Sequence, residues 1–215
     1  MIKITCFSDI HGMPNERLNS WMRKNPSDIL LYAGDIQFNK FDDGFYTLEW
    51  MNSLPFDEKI IIMGNHDNNS EKMMEYAMHL NHFHILENRS IRIKGINFFG
   101  SPYSVTFGNW SFMESEEKLE EMYAKVPEDT NILLTHTPVY GIMDVSTRYE
   151  HVHAGSVSLL NRIQNLKHLK YHVCGHIHEG YGIQKENGIT FINASILDNM
   201  YNFVNDPITF EYQYE

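Results

Sequence analysis

The sequence predicts an α/β fold, and three observations carry the prediction. Short apolar runs alternate with segments of helical length, Asn, Gly and Pro punctuate the joins, and no linker, repeat or low-complexity stretch divides the chain. The apolar runs Ile2–Phe7 and Ile29–Ala33 read as the first two strands, with a helix near 15–23 between them. A helix near 44–53 leads to a strand at 60–63, and another near 71–79 follows. Residues 84–100 read as paired strands. Helices near 114–125 and 156–166 flank the strand Ile132–Thr135, and the second of them precedes the strand Tyr171–Cys174. Residues 182–193 read as a second strand pair turning at Glu186-Asn187-Gly188, where Asn-Gly supplies the two positive φ values a tight hairpin needs. A last strand is expected at Ile208–Tyr212, and Pro207 fits its entry.

Composition bounds the function. A chain of 215 residues fits one domain, read here as 1–215, with mass enough to bury a full core. Hydrophobic residues are 42% and charged residues 21%, the balance of a folded protein rather than a disordered one. No run approaches the ~18 apolar residues of a membrane helix. Met1 leads directly into a strand with no hydrophobic leader or cleavage site, so a cytoplasmic protein is expected. Cys6 and Cys174 both lie inside apolar runs and read as buried, reduced residues, which leaves no Cys-rich zinc site. Lys and Arg number 17 against 28 Asp and Glu, a net charge of −11. No basic cluster suited to a long nucleic acid appears, and small substrates are favoured. Bound divalent ions would reverse the local field for a phosphate-bearing one.

Five short segments carry metal-seeking side chains, and each follows an apolar run: Asp9-Ile10-His11, Gly34-Asp35, Gly64-Asn65-His66-Asp67, Thr135-His136-Thr137 and Gly175-His176-Ile177-His178. A twisted α/β sheet gathers the carboxyl ends of distant strands at one edge. Asp9, His11, Asp35, Asn65, His136, His176 and His178 are therefore expected to meet and to hold two metal ions. Mixed oxygen and nitrogen donors suit Mn, Fe, Zn or related first-row ions better than Ca or Mg alone. The first ion is assigned Asp9, His11, Asp35 and His178; the second is assigned Asp35, Asn65, His136 and His176. Asp35 would bridge them, with Gly34 letting the backbone approach. Asp9 and His11 are expected to alternate along an extended segment, so that both face one side. In such sites the ions stand roughly 3.5–4 Å apart, and a water between them loses a proton near neutral pH and becomes the nucleophile. His66 is left over from the ligand set, and its expected role is to orient a phosphoryl group and protonate the leaving oxygen. Asp67 is a candidate to hold that ring, although adjacent residues on an extended segment point to opposite faces. Each segment alone has an ordinary reading as a turn or a cap; five in order, each after a strand, do not.

In this order the segments resemble the calcineurin-like metallophosphoesterase family, whose pattern is D-x-H, G-D, G-N-H-D/E, a lone H and then G-H-x-H. A narrower stretch, Gly175-His176-Ile177-His178-Glu179-Gly180-Tyr181-Gly182-Ile183 with Phe191-Ile192-Asn193-Ala194-Ser195 and the upstream Gly100-Ser101-Pro102, is similar to the class III cyclic-nucleotide phosphodiesterase branch with its vertebrate metallophosphoesterase-domain proteins. The resemblance runs from Ile2 to about Ser195. It implies a four-layer α/β/β/α sandwich of the metallophosphoesterase type and two divalent metal ions, Mn²⁺ or Fe first and Zn²⁺ also. It further implies hydrolysis of small phosphodiesters, cyclic nucleotides among them, by a metal-bridging hydroxide. Carried over, the ligand positions fall on the seven residues above and the catalytic histidine on His66. Both histidines of the last motif are present, and no role of the extended amino-terminal region of longer members is expected of this chain. A phosphomonoesterase or pyrophosphatase with the same metals is the nearest alternative, since ligand motifs do not report whether a pocket accepts a second ester substituent. A binding module that uses the fold only as an interaction surface is the other; complete retention of the ligands and of His66 speaks against it.

Two long connections, 101–111 with Tyr103, Phe107 and Trp110, and 140–155 with Arg148, Tyr149, His151 and His153, are expected to shape a pocket. The three aromatics are candidates to stack a nucleobase or simply to pack under the loop. Arg148 is a candidate to pair with a phosphate oxygen, but reads first as a solvated loop arginine. His82 with His84, and His151 with His153, have ligand spacing but no third partner, and like His79, His168 and His172 they read as ordinary histidines.

Overall fold

The computed structural model describes residues 1–37, 44–68, 70–148 and 151–214. In chain order its first half contains β1 (Ile2–Phe7), α1 (Glu16–Lys24), β2 (Ile29–Ala33), α2 (Phe45–Ser53), β3 (Glu58–Ile62), α3 (Ser70–Ala77), β4 (Phe83–Ile85), β5 (Arg89–Ile93), β6 (Ile96–Ser101), β7 (Ser104–Val105) and β8 (Met113–Glu114). There follow α4 (Glu116–Tyr123), β9 (Ile132–Thr135), β10 (Val145–Ser146), β11 (Val152–His153), α5 (Val157–Ile163), β12 (Tyr171–Cys174), β13 (Gly182–Glu186), β14 (Ile189–Asn193) and β15 (Ile208–Tyr212). A single 3₁₀ turn, His178–Gly180, lies between β12 and β13.

Two sheets carry the fold. One has the order β15-β1-β2-β3-β4 and the other β13-β14-β12-β9-β6-β5. Both are parallel at their centres and close with antiparallel edges, β15 on the first and β13 and β5 on the second. Helices joining parallel strands lie on the outer faces, so each sheet is covered on both sides and its strands read as unbroken apolar runs. Along β2, Ile29, Leu31 and Ala33 enter the core between the sheets, while Leu30 and Tyr32 face outward to Leu18, Met22, Leu48, Met51 and Met73 of the helices. Along β9, Ile132 and Leu134 enter the central core, and Leu133 faces Leu119, Tyr123 and Leu159 on the other side. Three cores between four layers make the α/β/β/α sandwich.

α1 and α5 start at short polar caps: Asn15 accepts from Leu18 N at 2.8 Å and Ser156 from Leu159 N at 3.1 Å. The second hairpin turns at Asn187 and Gly188, with φ of 50° and 82°. The first expected pair is drawn differently: His84 belongs to β4 in one sheet, while Arg89–Ile93 pairs with Ile96–Ser101 in the other. Cys6 and Cys174 are buried and free. Among the described residues, no helix is long and apolar enough to cross a membrane.

Leu134 is fully buried between the sheets. Leu134→Ala removes that packing and leaves a cavity, with an expected loss of about 2–5 kcal/mol in urea unfolding at unchanged m-value.

Candidate metal centre

The carboxyl ends of β1, β2 and β3 in one sheet and of β9 and β12 in the other lead into five loops that meet. Asp9 and Asp35 are buried there with Asn65 and His136, His11 is 8% exposed, and His176 and His178 are partly buried. Ligand atoms of Asp9, His11 and His178, of Asp9, Asp35 and His136, and of His11, Asp35 and His66 each lie within 4.8 Å of one another. His136 Nε2 is 2.9 Å from Asn65 Oδ1 and 3.3 Å from Asp35 Oδ1. His11 Nε2 is 3.6 Å from Asp35 Oδ2, and His178 Nε2 is 3.7 Å from Asp9 Oδ1. The His176 ring packs 4.9 Å from that of His136. The seven expected ligands are thus brought together.

The way they converge differs from the expectation. Asp9 and His11 are not on an extended segment: their φ values are 56° and 44°, and Asp35 and His176 join them in the left-handed region at 63° and 68°. Each such turn costs a non-glycine residue about 1–2 kcal/mol and bends the chain so that its side chain points into the cluster. The turns are held by backbone bonds from Asp9 N to Gly34 O at 2.9 Å, His11 N to Asp35 O at 3.2 Å and Gly12 N to Ile36 O at 2.7 Å. Gly64 admits no side chain, because a Cβ there would strike the Asp35 carboxylate and the His136 ring. Glycines beside Asp35 and His176 and after His11 were the signal in the sequence for these bends.

Asp67 also departs from its expected role. It does not hold the His66 ring; it is buried, and its carboxylate accepts the backbone N–H groups of Gly64 at 2.8 Å, Ile36 and Gln37 at 2.9 Å and Asp35 at 3.2 Å. The turn closed by Asp67 N donating to Gly64 O at 3.1 Å sets it against the loop carrying Asp35. Burial, and then the Asp35 charge, push its carboxyl up to about 7 against the pull of the Gln37 and Gly64 donors.

Three histidines are set in one tautomer. Nδ1 of His136 donates to Ala33 O at 2.8 Å, Nδ1 of His178 to Asp198 O at 2.9 Å, and Nδ1 of His11 lies 3.3 Å from Gln37 O. Each then presents an Nε2 lone pair to a carboxylate, an arrangement that requires a proton or a cation between them. This is the observation on which divalent cations fit the site. Burial alone would lower the pKa of His136 and His178; Asp35 and Asp9 respectively overcome it and hold each at about 9. Burial dominates for His11 and His176, which fall to about 4 and 3. Asp9 and Asp35 stay below the usual carboxylate range, because neighbouring histidines outweigh their burial.

Beside the cluster opens a cleft of about 740 Å³. Phe107, Trp110, Tyr201, Arg148 and His153 line it with His66. Trp110 stacks on His66 at 4.5 Å and Tyr201 meets His11 edge-on at 4.9 Å. Of the two expected roles Tyr103 takes the second, packing beneath the loop, and it donates to Glu87 at 2.9 Å. Arg148 is exposed on its loop, as expected, and its guanidinium sits 5.9 Å from the Tyr201 ring in the cleft wall. Tyr149 lies outside the described residues. Sequence reasoning passed over Tyr201 and Ser195, whose hydroxyl donates to Asp9 Oδ2 at 2.7 Å. His82 and His84 share Glu58, each at 2.9 Å.

A family model described as calcineurin-like phosphoesterase matches residues 2–180. Metallophosphoesterase domain-containing protein 1 of Homo sapiens is 28% identical over 242 residues, covering 97% of this chain and 70% of its own. A UPF0046 protein of Caenorhabditis elegans is 30% identical over 225 residues, covering 97% of this chain and 74% of its own. Among solved structures, a phosphopantetheinyl hydrolase from Mycobacterium tuberculosis has a TM-score of 0.66 at 14% identity over 90% of this chain and 89% of that one, a likeness of fold.

Two predictions follow from this geometry. Asp67→Ala strips four buried N–H groups of their acceptor and should cost on the order of 3 kcal/mol in urea unfolding and lower metal content with it. Asp67→Asn, which turns an acceptor into a donor, should not restore either. Because His136 and His178 hold protons up to about pH 9 without metal, cation uptake must release them. The apparent association constant should fall about tenfold per pH unit for each proton displaced as pH drops from 9 to 6. Calorimetry in buffers of different ionisation enthalpy counts the protons; affinity independent of pH over that range contradicts the assignment.

Proposed function

This chain belongs to the calcineurin-like phosphoesterase family and is a metal-dependent phosphoesterase, and we propose that it hydrolyses small phosphodiesters, cyclic nucleotides among them. Members of the family typically bind two divalent metals. In this reading Asp9, His11, Asp35 and His178 hold one ion and Asp35, Asn65, His136 and His176 the other; the mixed donors suit Mn, Fe or Zn, and the family resemblance puts Mn²⁺ or Fe first. Such ions, when bound, supply Lewis acidity toward the phosphoryl oxygens and toward water.

The observation that carries the diester reading is the cleft. Its 740 Å³ leave room beyond a phosphoryl group for the two ester substituents of a small phosphodiester. Phe107 and Trp110 stand 58% and 47% exposed at its mouth, and aromatic faces of this kind accept a nucleobase of any identity. His66 donates its backbone N–H to Asp35 Oδ1 at 2.9 Å, which sets the ring beside the bridging carboxylate. Its Nδ1 is buried without a hydrogen-bond partner among the described residues. A ring so placed is free to hold a phosphoryl oxygen and to deliver a proton to the departing alcohol.

The test compares bis(p-nitrophenyl) phosphate with p-nitrophenyl phosphate on protein stripped of metal and reloaded with Mn²⁺, alongside 2′,3′- and 3′,5′-cyclic nucleotides. Diester turnover well above monoester turnover, and absent without metal, is expected. Preference for the monoester would replace this reading with a phosphatase. His66→Ala should lower kcat by roughly 10²–10⁴-fold at unchanged metal content; equal turnover in that variant would remove the proposed acid role.

A further inference from the structure

The loop between β9 and α5 carries a second histidine into the cleft, and it is built differently from His66. Asp144 is 1% exposed. Its Oδ2 accepts the backbone N–H groups of Gly141 at 3.0 Å and Gly155 at 3.1 Å, and its Oδ1 lies 2.7 Å from His153 Nδ1. The backbone closes the same loop, with Ala154 N donating to Asp144 O at 2.9 Å. The Tyr140 ring lies 5.1 Å from that of His153, and the β10–β11 pair sets Val145 opposite His153. The imidazole is therefore oriented by a buried carboxylate, yet its side chain remains 44% exposed and lines the cleft. With Nδ1–H given to Asp144, the other ring nitrogen is left for a ligand, as a lone pair when the ring is neutral and as a donor when it is protonated.

A carboxylate-backed imidazole whose side chain stays partly exposed at the wall of a cleft is a preformed hydrogen-bonding group. Ser146, Arg148 and Asn199 line the same cleft, together with the apolar Val152 and Ala154. From this we infer that His153, positioned by Asp144, binds the substituent of the substrate beyond the scissile phosphoryl group, and that this substituent bears hydroxyl groups, as a ribose or a polyol does. The inference rests on the phosphodiester reading above and adds to it the class of group on the non-leaving side. His153 touches substrate; Asp144 acts through it.

The experiment uses two diesters with the same leaving group, a nucleoside 5′-(p-nitrophenyl) phosphate and bis(p-nitrophenyl) phosphate, on the Mn²⁺-loaded full chain. Only the first carries hydroxyl groups on its retained substituent. His153→Ala should raise KM for the nucleoside diester about tenfold, the worth of one hydrogen bond, and leave kcat for it and kcat/KM for the bis-aryl diester within about twofold. His153→Gln, which keeps a polar group on a side chain of similar reach, should recover part of the loss. Asp144→Asn should raise the same KM, and adding it to His153→Ala should cost nothing more, since a purely structural role would add. Metal content and melting temperature serve as controls, and the exposed His153 variants stand alone if Asp144→Asn does not fold. Equal effects on both diesters, or none, overturn the inference while the phosphodiester reading stands. A wild type that cleaves neither diester overturns both.

Discussion

The carboxylate of Asp67 is the contact on which the centre depends. It collects four backbone N–H groups, from the turn after β3 and from the turn after β2, and so ties two neighbouring strand ends into one rigid piece. Asp35 leaves that piece at a positive φ, and its own Oδ1 accepts from His66 N on the other turn. Without that tie, the left-handed turns that aim the ligands would relax toward the extended backbone their residues prefer. The cost of burying an acidic group is met by donors that the two turns would otherwise leave unsatisfied.

The second sheet completes the site through histidine. His136 reaches across from the end of β9 and donates to Ala33 O on β2, so one hydrogen bond both spans the sheets and fixes the tautomer. Asp9 is held from the other direction by the Ser8 and Ser195 hydroxyls and by His176 N, the last two supplied by segments from the second sheet. Each anionic ligand of the first sheet is thus locked by groups from the second. The central core of Ile, Leu, Val and Phe between them sets the distance at which that is possible. Packing and chemistry are one problem here, since a shift of one sheet on the other would separate carboxylates from imidazoles.

Around this rigid centre the cleft walls come from loops, and they carry the features that distinguish substrates. Trp110 and Phe107 arrive on 101–111, which Ser111 pins back to Asn65 O at 3.1 Å. Arg148 and His153 arrive on 140–155, organised by the buried Asp144. Common metal chemistry on strand ends and variable recognition on loops is the division of labour this architecture permits.

The sequence by itself determined the alternation of strands and helices, the carboxyl-edge position of Asp9, Asp35, Asn65, His136 and His176, and the Asn187-Gly188 hairpin. These follow from local rules: apolar period, strand-end placement and turn stereochemistry act within a few residues. What only the tertiary structure decided depends on contacts between distant segments. The left-handed backbone at Asp9, His11, Asp35 and His176 exists because neighbouring loops hold it, and it replaced the extended reading of Asp9-Ile10-His11. The task of Asp67 was hidden because three of its four partners lie about thirty residues away, and all four are backbone amides, which no side-chain pattern records. Tyr103 and Trp110 are both aromatic residues of one loop, yet one is packed beneath it and the other faces the cleft, because burial is set by what the loop lies against. His153 looked like an ordinary surface histidine until Asp144, nine residues earlier, was found behind it.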